Sequence, residues 1–515
     1  MKEMIKCLVV FLAVVAVAVP AGAAEKNMVY SSPYGITTLD PSASYSTEAQ
    51  YLANMYETLI RVNPPGSKEM FRYVLATGFT ASEDGLEYTF NLRKGVKFHD
   101  GTPFTAEAVK FSIDRTRRIG KGAAFIWGDL QEVQVIDDFT VKFILKSPAP
   151  LPMIAASANG SYIMSPAVGD EGPEWFDQGN DAGSGPYMLK NYKSGESWIL
   201  GKFEDYWGGW SGKHVENILV KYTKDGLVQL KMLQSNEAML AGRLPIDSYA
   251  KVRAAENTKV LDGPSYVNYM AFFNTTRAPL DRQKVRKALA HAIPYDDIIK
   301  IGFDGMATQA RGPVPRGQFG YSEKVYQYEY DLDKAKQLLT QAGFPDGGFK
   351  LTLTYAAENV SEGRFAPLIQ SEFKKLGIDV EVKGIVWTQQ WAMAKGDPKE
   401  AQDIFLLMWW PTYADPYETL YSLLNKEKGK PVWNLAYYVN PAYDNMIRKA
   451  YEATGSDPAT ALVLYIQAQN IAQKDVPVAW LVDIMATWPM NSRLQGMVIN
   501  PAYPTTPFFY EMYIE

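Results

Sequence analysis

Ser82-Glu83-Asp84-Gly85-Leu86-Glu87-Tyr88-Thr89-Phe90-Asn91-Leu92-Arg93-Lys94-Gly95-Val96-Lys97-Phe98-His99-Asp100-Gly101-Thr102-Pro103-Phe104-Thr105-Ala106-Glu107-Ala108-Val109-Lys110-Phe111-Ser112 is the stretch on which the fold turns. Glu87–Leu92 alternates polar and apolar side chains, the period-2 pattern of a strand buried on one face. Thr105 then opens a helix, with Glu107 in its first turn and Val109, Phe111 and Ile113 following. The alternation returns at Thr140–Leu145, so residues 79–145 are expected to be rich in strands.

Upstream, residues 28–30 suit a short strand that runs into the loop 35–41. Downstream, Asp181-Ala182-Gly183-Ser184-Gly185-Pro186 introduces a second strand-rich region. Val285, Ala288, Leu289, Ala292 and Ile293 form one apolar stripe of a helix. A second helix carries Leu332, Ala335, Leu338 and Leu339 and is stopped by Gly343 and Pro345. A strand at 349–355 follows, then a helix with Phe365, Leu368, Ile369, Phe373 and Leu376 that ends at Gly377, then a strand at 378–382. Helix, strand, helix, strand is an α/β lobe. No fixed-period repeat is present, which argues against a solenoid or propeller.

The chain has 515 residues, which at roughly 150 residues per domain suggests about three domains or subdomains. Hydrophobic residues make up 47% and charged residues 21%, ordinary values that exclude a mainly disordered chain and a polytopic membrane protein. A net charge of −5 gives no electrostatic footprint for nucleic acid. Lys2 and Lys6 precede an apolar run at 8–19, then Pro20 and Ala21-Gly22-Ala23-Ala24. This is the layout of a secretory signal peptide, shorter than the span of about 20 residues that a membrane needs. Cleavage is expected near Ala23 or Ala24, with residues 1–24 removed. Cys7, the single cysteine, precedes the apolar run, so it is no lipid acceptor and it leaves with the signal. Lys2, Lys6 and Glu3 leave too, a net +1, so −5 becomes −6. The expected product is soluble, periplasmic, free of cysteine and not a lipoprotein.

Motifs for catalysis are missing. His99, His214 and His291 are scattered and form no H-E-x-x-H helix. No nucleophile elbow surrounds Ser184, and Gly212-Lys213 lacks the upstream glycine of a phosphate-binding loop, since that position is Trp207. With 57 acidic residues, carboxylate pairs are always available, and only their spatial arrangement tests a glycosidase. Binding rather than turnover is the expectation, with no catalytic residue, metal or cofactor.

The stretch 82–112 resembles the signature of the family 5 extracellular solute-binding proteins, the peptide and nickel binders of bacterial ABC importers. Residues 274–298, with Pro279-Leu280-Asp281 and Val285-Arg286-Lys287-Ala288-Leu289, resemble the helix that opens the second lobe in that family. Trp409-Trp410-Pro411-Thr412-Tyr413-Ala414-Asp415-Pro416 is similar to its tryptophan-to-Asp-Pro binding loop. Gly183-Ser184-Gly185-Pro186-Tyr187 and Asn440-Pro441-Ala442-Tyr443-Asp444 extend the resemblance over essentially the whole mature chain.

The resemblance implies an α/β fold, a two-lobed periplasmic-binding-protein clamp (type II, cluster C) with an extra subdomain inserted in lobe one. Lobe one would take residues 25–70, 181–268 and 481–515, the inserted subdomain 71–180, and lobe two 269–480. A monomer of this kind encloses a small solute by hinge closure and delivers it to an ABC permease in the inner membrane. The solute would be peptide-like or oligosaccharide-like; three scattered histidines weigh against a nickel chelate. The rival readings are a secreted hydrolase with an aromatic-lined cleft and a periplasmic binding or chaperone module unconnected with transport.

Peptide-binding members place an aspartate three residues after the loop tryptophan, paired with the peptide's ammonium; this sequence has Thr412 there. A hydroxyl cannot supply that charge-assisted bond. Asp415-Pro416-Tyr417-Glu418 reads as a capping box. Neighbours on an extended segment point to opposite sides, so one of Trp409 and Trp410 faces the cleft, and the family position selects Trp409. Trp387 matches the family's tryptophan after the strand at 378–382. Tyr413, Phe125, Trp127, Tyr269, Asn274 and Tyr45 complete the candidate ligand-binding set. Aromatic faces suit sugar rings, apolar side chains or cations.

Overall fold

A computed structural model describes residues 26–45, 47–425 and 433–515. The signal-peptide reading and Cys7 lie outside the described residues. Among the described residues no helix is long and apolar enough to cross a membrane.

An eleven-stranded mixed sheet runs through the molecule. At one end Asn27–Ser32 lies parallel to Asn217–Tyr222, which continues antiparallel into Ser197–Lys202 and Tyr187–Lys193. At the other end Lys350–Ala356 pairs in parallel with Asp379–Ile385 and with Ile404–Trp409. Two long antiparallel strands, Thr258–Phe273 and Val478–Asn491, join the ends. Leu240 meets Met490 on the first side, and residues 268–273 meet Ile404–Trp409 on the second. The crossings between lobes therefore fall inside paired strands, which can bend without breaking a chain of hydrogen bonds.

The helices expected from apolar spacing form at Gln283–His291, Leu332–Gln341 and Val360–Lys374. Each puts its apolar stripe on the second end of the sheet, in one core with Leu351, Leu353, Ile404 and Leu406.

The stretch 82–112 folds as read. Glu87–Leu92 and Thr140–Leu145 are central strands of a separate four-stranded antiparallel sheet, and Ala106–Ile119 is the helix behind them. Phe90 lies opposite Val141 and Tyr88 opposite Phe143, all four buried. This subdomain is tied to the large sheet by the turn after Phe98. The His99 backbone N–H donates to Gly183 O at 2.7 Å, and its ring contacts Gly185 O at 2.9 Å and Asp181 Oδ2 at 2.9 Å. Gly183 is required there, because a Cβ would stand 1.9 Å from Met55 O.

Candidate functional site

The loop after strand Ile404–Trp409 meets lobe one. Residues 410–414 line a small, solvent-open pocket together with Ser157, Asn159, Met153 and Tyr503. Ser157 Oγ donates to Thr412 O at 2.8 Å, and Tyr45 OH lies 3.1 Å from Thr412 Oγ1. Thr412 Oγ1 donates to Glu418 Oε1 at 3.1 Å, so the Tyr45 hydroxyl is the donor to Thr412. Farther along the same interface Tyr451 OH donates to Asp129 Oδ2 at 2.6 Å. Arg364 grips both oxygens of Asp247 at 2.7 and 2.9 Å.

Asp415 caps the helix Pro416–Leu424, accepting from Tyr417 N at 2.8 Å, with Pro416 in the first turn. Half of the expected capping box is absent: the Glu418 carboxylate takes the Thr412 hydroxyl at 3.1 Å and is fully buried. Burial pushes its carboxyl up to about 8, with the Thr412 bond pulling the other way. Its second oxygen and the second oxygen of Asp415 have no hydrogen-bond partner. Burial likewise lifts Asp415 to about 6.

The candidate residues divide sharply. Tyr45, Phe125, Trp410, Thr412 and Tyr413 come together at or beside the interlobe contact. Tyr45 and Phe125 are exposed and meet edge to face at 5.8 Å. Trp410 is 47% exposed and lines the cavity, whereas Trp409 is buried against Trp433 at 5.3 Å. The expected orientation of the tryptophan pair is thus reversed, because Trp409 continues the inward side of its strand with Phe405 and Leu407. Tyr413 is buried among side chains of the inserted subdomain rather than lining an open wall.

Three candidates are packing residues. Trp127 stacks on Phe143 at 5.9 Å and donates its indole N–H to Gly160 O at 2.8 Å. Tyr269 is wedged against Phe303 and Phe365 in the lobe-two core. Asn274 donates to Pro398 O and accepts from Thr276, holding a turn. Trp387 opens the helix Trp387–Lys395 and stacks on Trp391, which reaches Trp433 and through it Trp409. The sequence reading missed Ser157, Asn159 and Tyr503, which carry no motif and meet the loop only through lobe contact, and it placed Glu418 in a capping box rather than on the Thr412 hydroxyl. Among the described residues no group of three or more metal-ligating side chains stands together.

Two lobes crossed by paired strands, with a cavity where they touch, define a solute-binding clamp. Residues 71–431 match the bacterial extracellular solute-binding proteins, family 5. The probable D,D-dipeptide-binding periplasmic protein DdpA of Escherichia coli is 30% identical over 474 residues, 90% of each chain. The glutathione-binding protein GsiB of Salmonella choleraesuis is 30% identical over 491 residues, 93% of each chain. The ABC transporter-associated periplasmic binding protein DppA of Helicobacter pylori, solved in complex with a peptide, superposes with a TM-score of 0.77 at 27% identity, covering 96% of this chain and 98% of that one. The chain belongs to the family 5 extracellular solute-binding proteins.

Proposed function

We propose that this chain is the substrate-binding component of a bacterial ABC importer, working in the periplasm as a monomer and handing its cargo to an inner-membrane permease. The observation that carries this reading is the cavity between the 410–414 loop and lobe one, closed by hydrogen bonds that cross the lobes. Hinge closure around a solute needs such cross-lobe contacts to favour the liganded form. Relatives named for a dipeptide and for glutathione favour a peptide-like solute over an oligosaccharide-like one. Trp410, Thr412, Tyr45 and Phe125 would contact it, with Trp387 and Trp409 supporting the loop from behind. No catalytic step is part of this function.

Native mass spectrometry of freshly purified protein is expected to show a retained small molecule. Tryptophan fluorescence is expected to change on adding a matching peptide, with the peptide recovered intact. A chain that retains nothing and stays silent to dipeptides, glutathione and oligosaccharides breaks this reading; a cleaved ligand favours a hydrolase.

A further inference from the structure

Where the long strands cross between lobes, three residues stand in a row across the sheet. Asn268 is paired with Trp409 on one side and with Asp483 on the other, and residues directly opposite in antiparallel strands share a face. Asn268 and Asp483 are both buried, and the Oδ1 atom of each has no hydrogen-bond partner. A loop covers them. Pro313 O accepts from Asn268 Nδ2 at 3.4 Å, and Arg316 N donates to Asp483 Oδ2 at 3.4 Å, both long contacts. Gln318, farther along that loop, is buried with neither end of its amide bonded.

Four unpartnered polar atoms on three neighbouring segments are costly, since each has lost its hydrogen bonds to water and gained none in return. Among the described residues no positively charged side chain is ion-paired with Asp483; Arg316, whose charge acts to lower the Asp483 carboxyl, pairs with Glu323 at 3.2 Å and is largely exposed. Burial holds the Asp483 carboxyl up near 7, as expected for an acid waiting for a counter-charge. The cover also belongs to the clamp. Tyr266 OH donates to Gly317 O at 3.0 Å while its ring packs in the core of the inserted subdomain, and Gly317 faces Pro65 of lobe one. Parting the lobes would therefore loosen the cover over the row.

We infer that Asp483, Asn268 and Gln318 form the subsite for a cationic nitrogen of the solute, with Asp483 as its counter-ion and the two amides completing its hydrogen bonds. This supplies at the hinge strands the charge that Thr412 lacks in the loop. It rests on the proposed capture of a solute and narrows that solute to one carrying an ammonium group, from a peptide amino terminus or from an amine.

The test uses the mature chain and four probes: the dipeptide Ala-Phe, N-acetyl-Ala-Phe, 1,4-diaminobutane and its mono-N-acetyl derivative, with maltotriose as a neutral comparison. Calorimetry on the wild type is expected to show that acetylation of whichever amine binds weakens it roughly a hundredfold, the order of losing a buried charge pair. Binding of the dipeptide points to a peptide terminus, and binding of the diamine alone points to an amine. The near-isosteric Asp483→Asn is expected to shrink the gap between free and acetylated probes to less than about tenfold. Equal binding of free and acetylated probes overturns the assignment, as does an unchanged gap in a folded Asp483→Asn. Should that variant not fold, the mass of the solute retained by the wild type decides: an amine-bearing solute supports the subsite and one without an amine overturns it. Maltotriose binding alone overturns the subsite and leaves solute capture standing, whereas silence of every probe together with no retained solute removes both.

Discussion

Two buried glutamates, one in each lobe, show how the same side chain serves different ends. Glu57 in lobe one receives Ser184 Oγ at 2.9 Å, Tyr206 OH at 3.0 Å and the Trp207 indole N–H at 3.0 and 3.1 Å. Both of its oxygens are occupied. Burial raises its carboxyl, and Arg61 with these three donors opposes the rise. Glu418 in lobe two accepts from the Thr412 hydroxyl at 3.1 Å, the Trp409 indole and the Thr412 backbone also draw its carboxyl down, and its second oxygen makes no hydrogen bond of good geometry. A fully satisfied buried network fixes a fold, whereas a partly satisfied one is unstable until something completes it. The Glu57 network is of the first kind and the Glu418 site of the second.

The comparison breaks first at Glu57. Glu57→Ala strands three donors at once and is expected to cost about 3–5 kcal/mol in urea unfolding. A loss under about 1 kcal/mol would mean that water replaces the carboxylate freely and the network is not structural. Next is Thr412→Asp, which sets a second carboxylate against Glu418. Because Glu418 stands near 8, the variant is expected to lose about 2–4 kcal/mol above about pH 8, where both acids must ionise, and less at neutral pH and below, rather than to create a clean ammonium site. Gain of dipeptide binding with unchanged stability would show that Glu418 can turn away.

Titration sharpens the contrast. Glu362 and Glu418 stand near 8 and Asp483 near 7 in the folded chain, each raised first by burial. Unfolded carboxyls titrate near about 4, so between those limits the folded state holds more protons. The stability these groups contribute is complete below about pH 4 and is lost as pH rises to about 8. The melting temperature of the unliganded chain is therefore expected to fall from about pH 5.5 to about pH 8.5, and Glu418→Gln to remove part of the slope. A profile that rises with pH in both proteins would contradict this.

Smaller effects come from the exposed rim. Trp410→Ala is expected to weaken solute binding about tenfold while leaving the melting temperature nearly unchanged, because its ring lines the cavity and supports no core. Tyr45→Phe removes one cross-lobe hydrogen bond and is expected to weaken binding by about 0.5–1.5 kcal/mol through less favourable closure. Calorimetry on both variants ranks them, and the reverse order would move the contact surface from Trp410 to Tyr45.

Much of the architecture was legible in the chain because it rests on local pattern. Alternation at Glu87–Leu92, apolar spacing at Gln283–His291 and the Asp415-Pro416 cap need only neighbours in sequence, and all three stand in the structure. The signature 82–112 reads well for the same reason, since its polar groups close on nearby turns and on Gly183 and Gly185. Aromatic residues were the poor guides. Trp127, Tyr269 and Trp409 have large apolar faces that suit a cleft and a core equally well, and burial chose the core.

The sequence by itself determined the elements, the lobes' class of fold and the loop where an expected charge is missing, because these follow from periodicity, caps and residue identity. Only the tertiary structure decided that Trp410 rather than Trp409 lines the cavity. It alone brought Ser157 to Thr412, and Asn268 to Asp483 from 215 positions away in the chain. Such pairings are set by strand register and lobe contact, and no local pattern records them. The free polar atoms they create exist only once water has been excluded on every side.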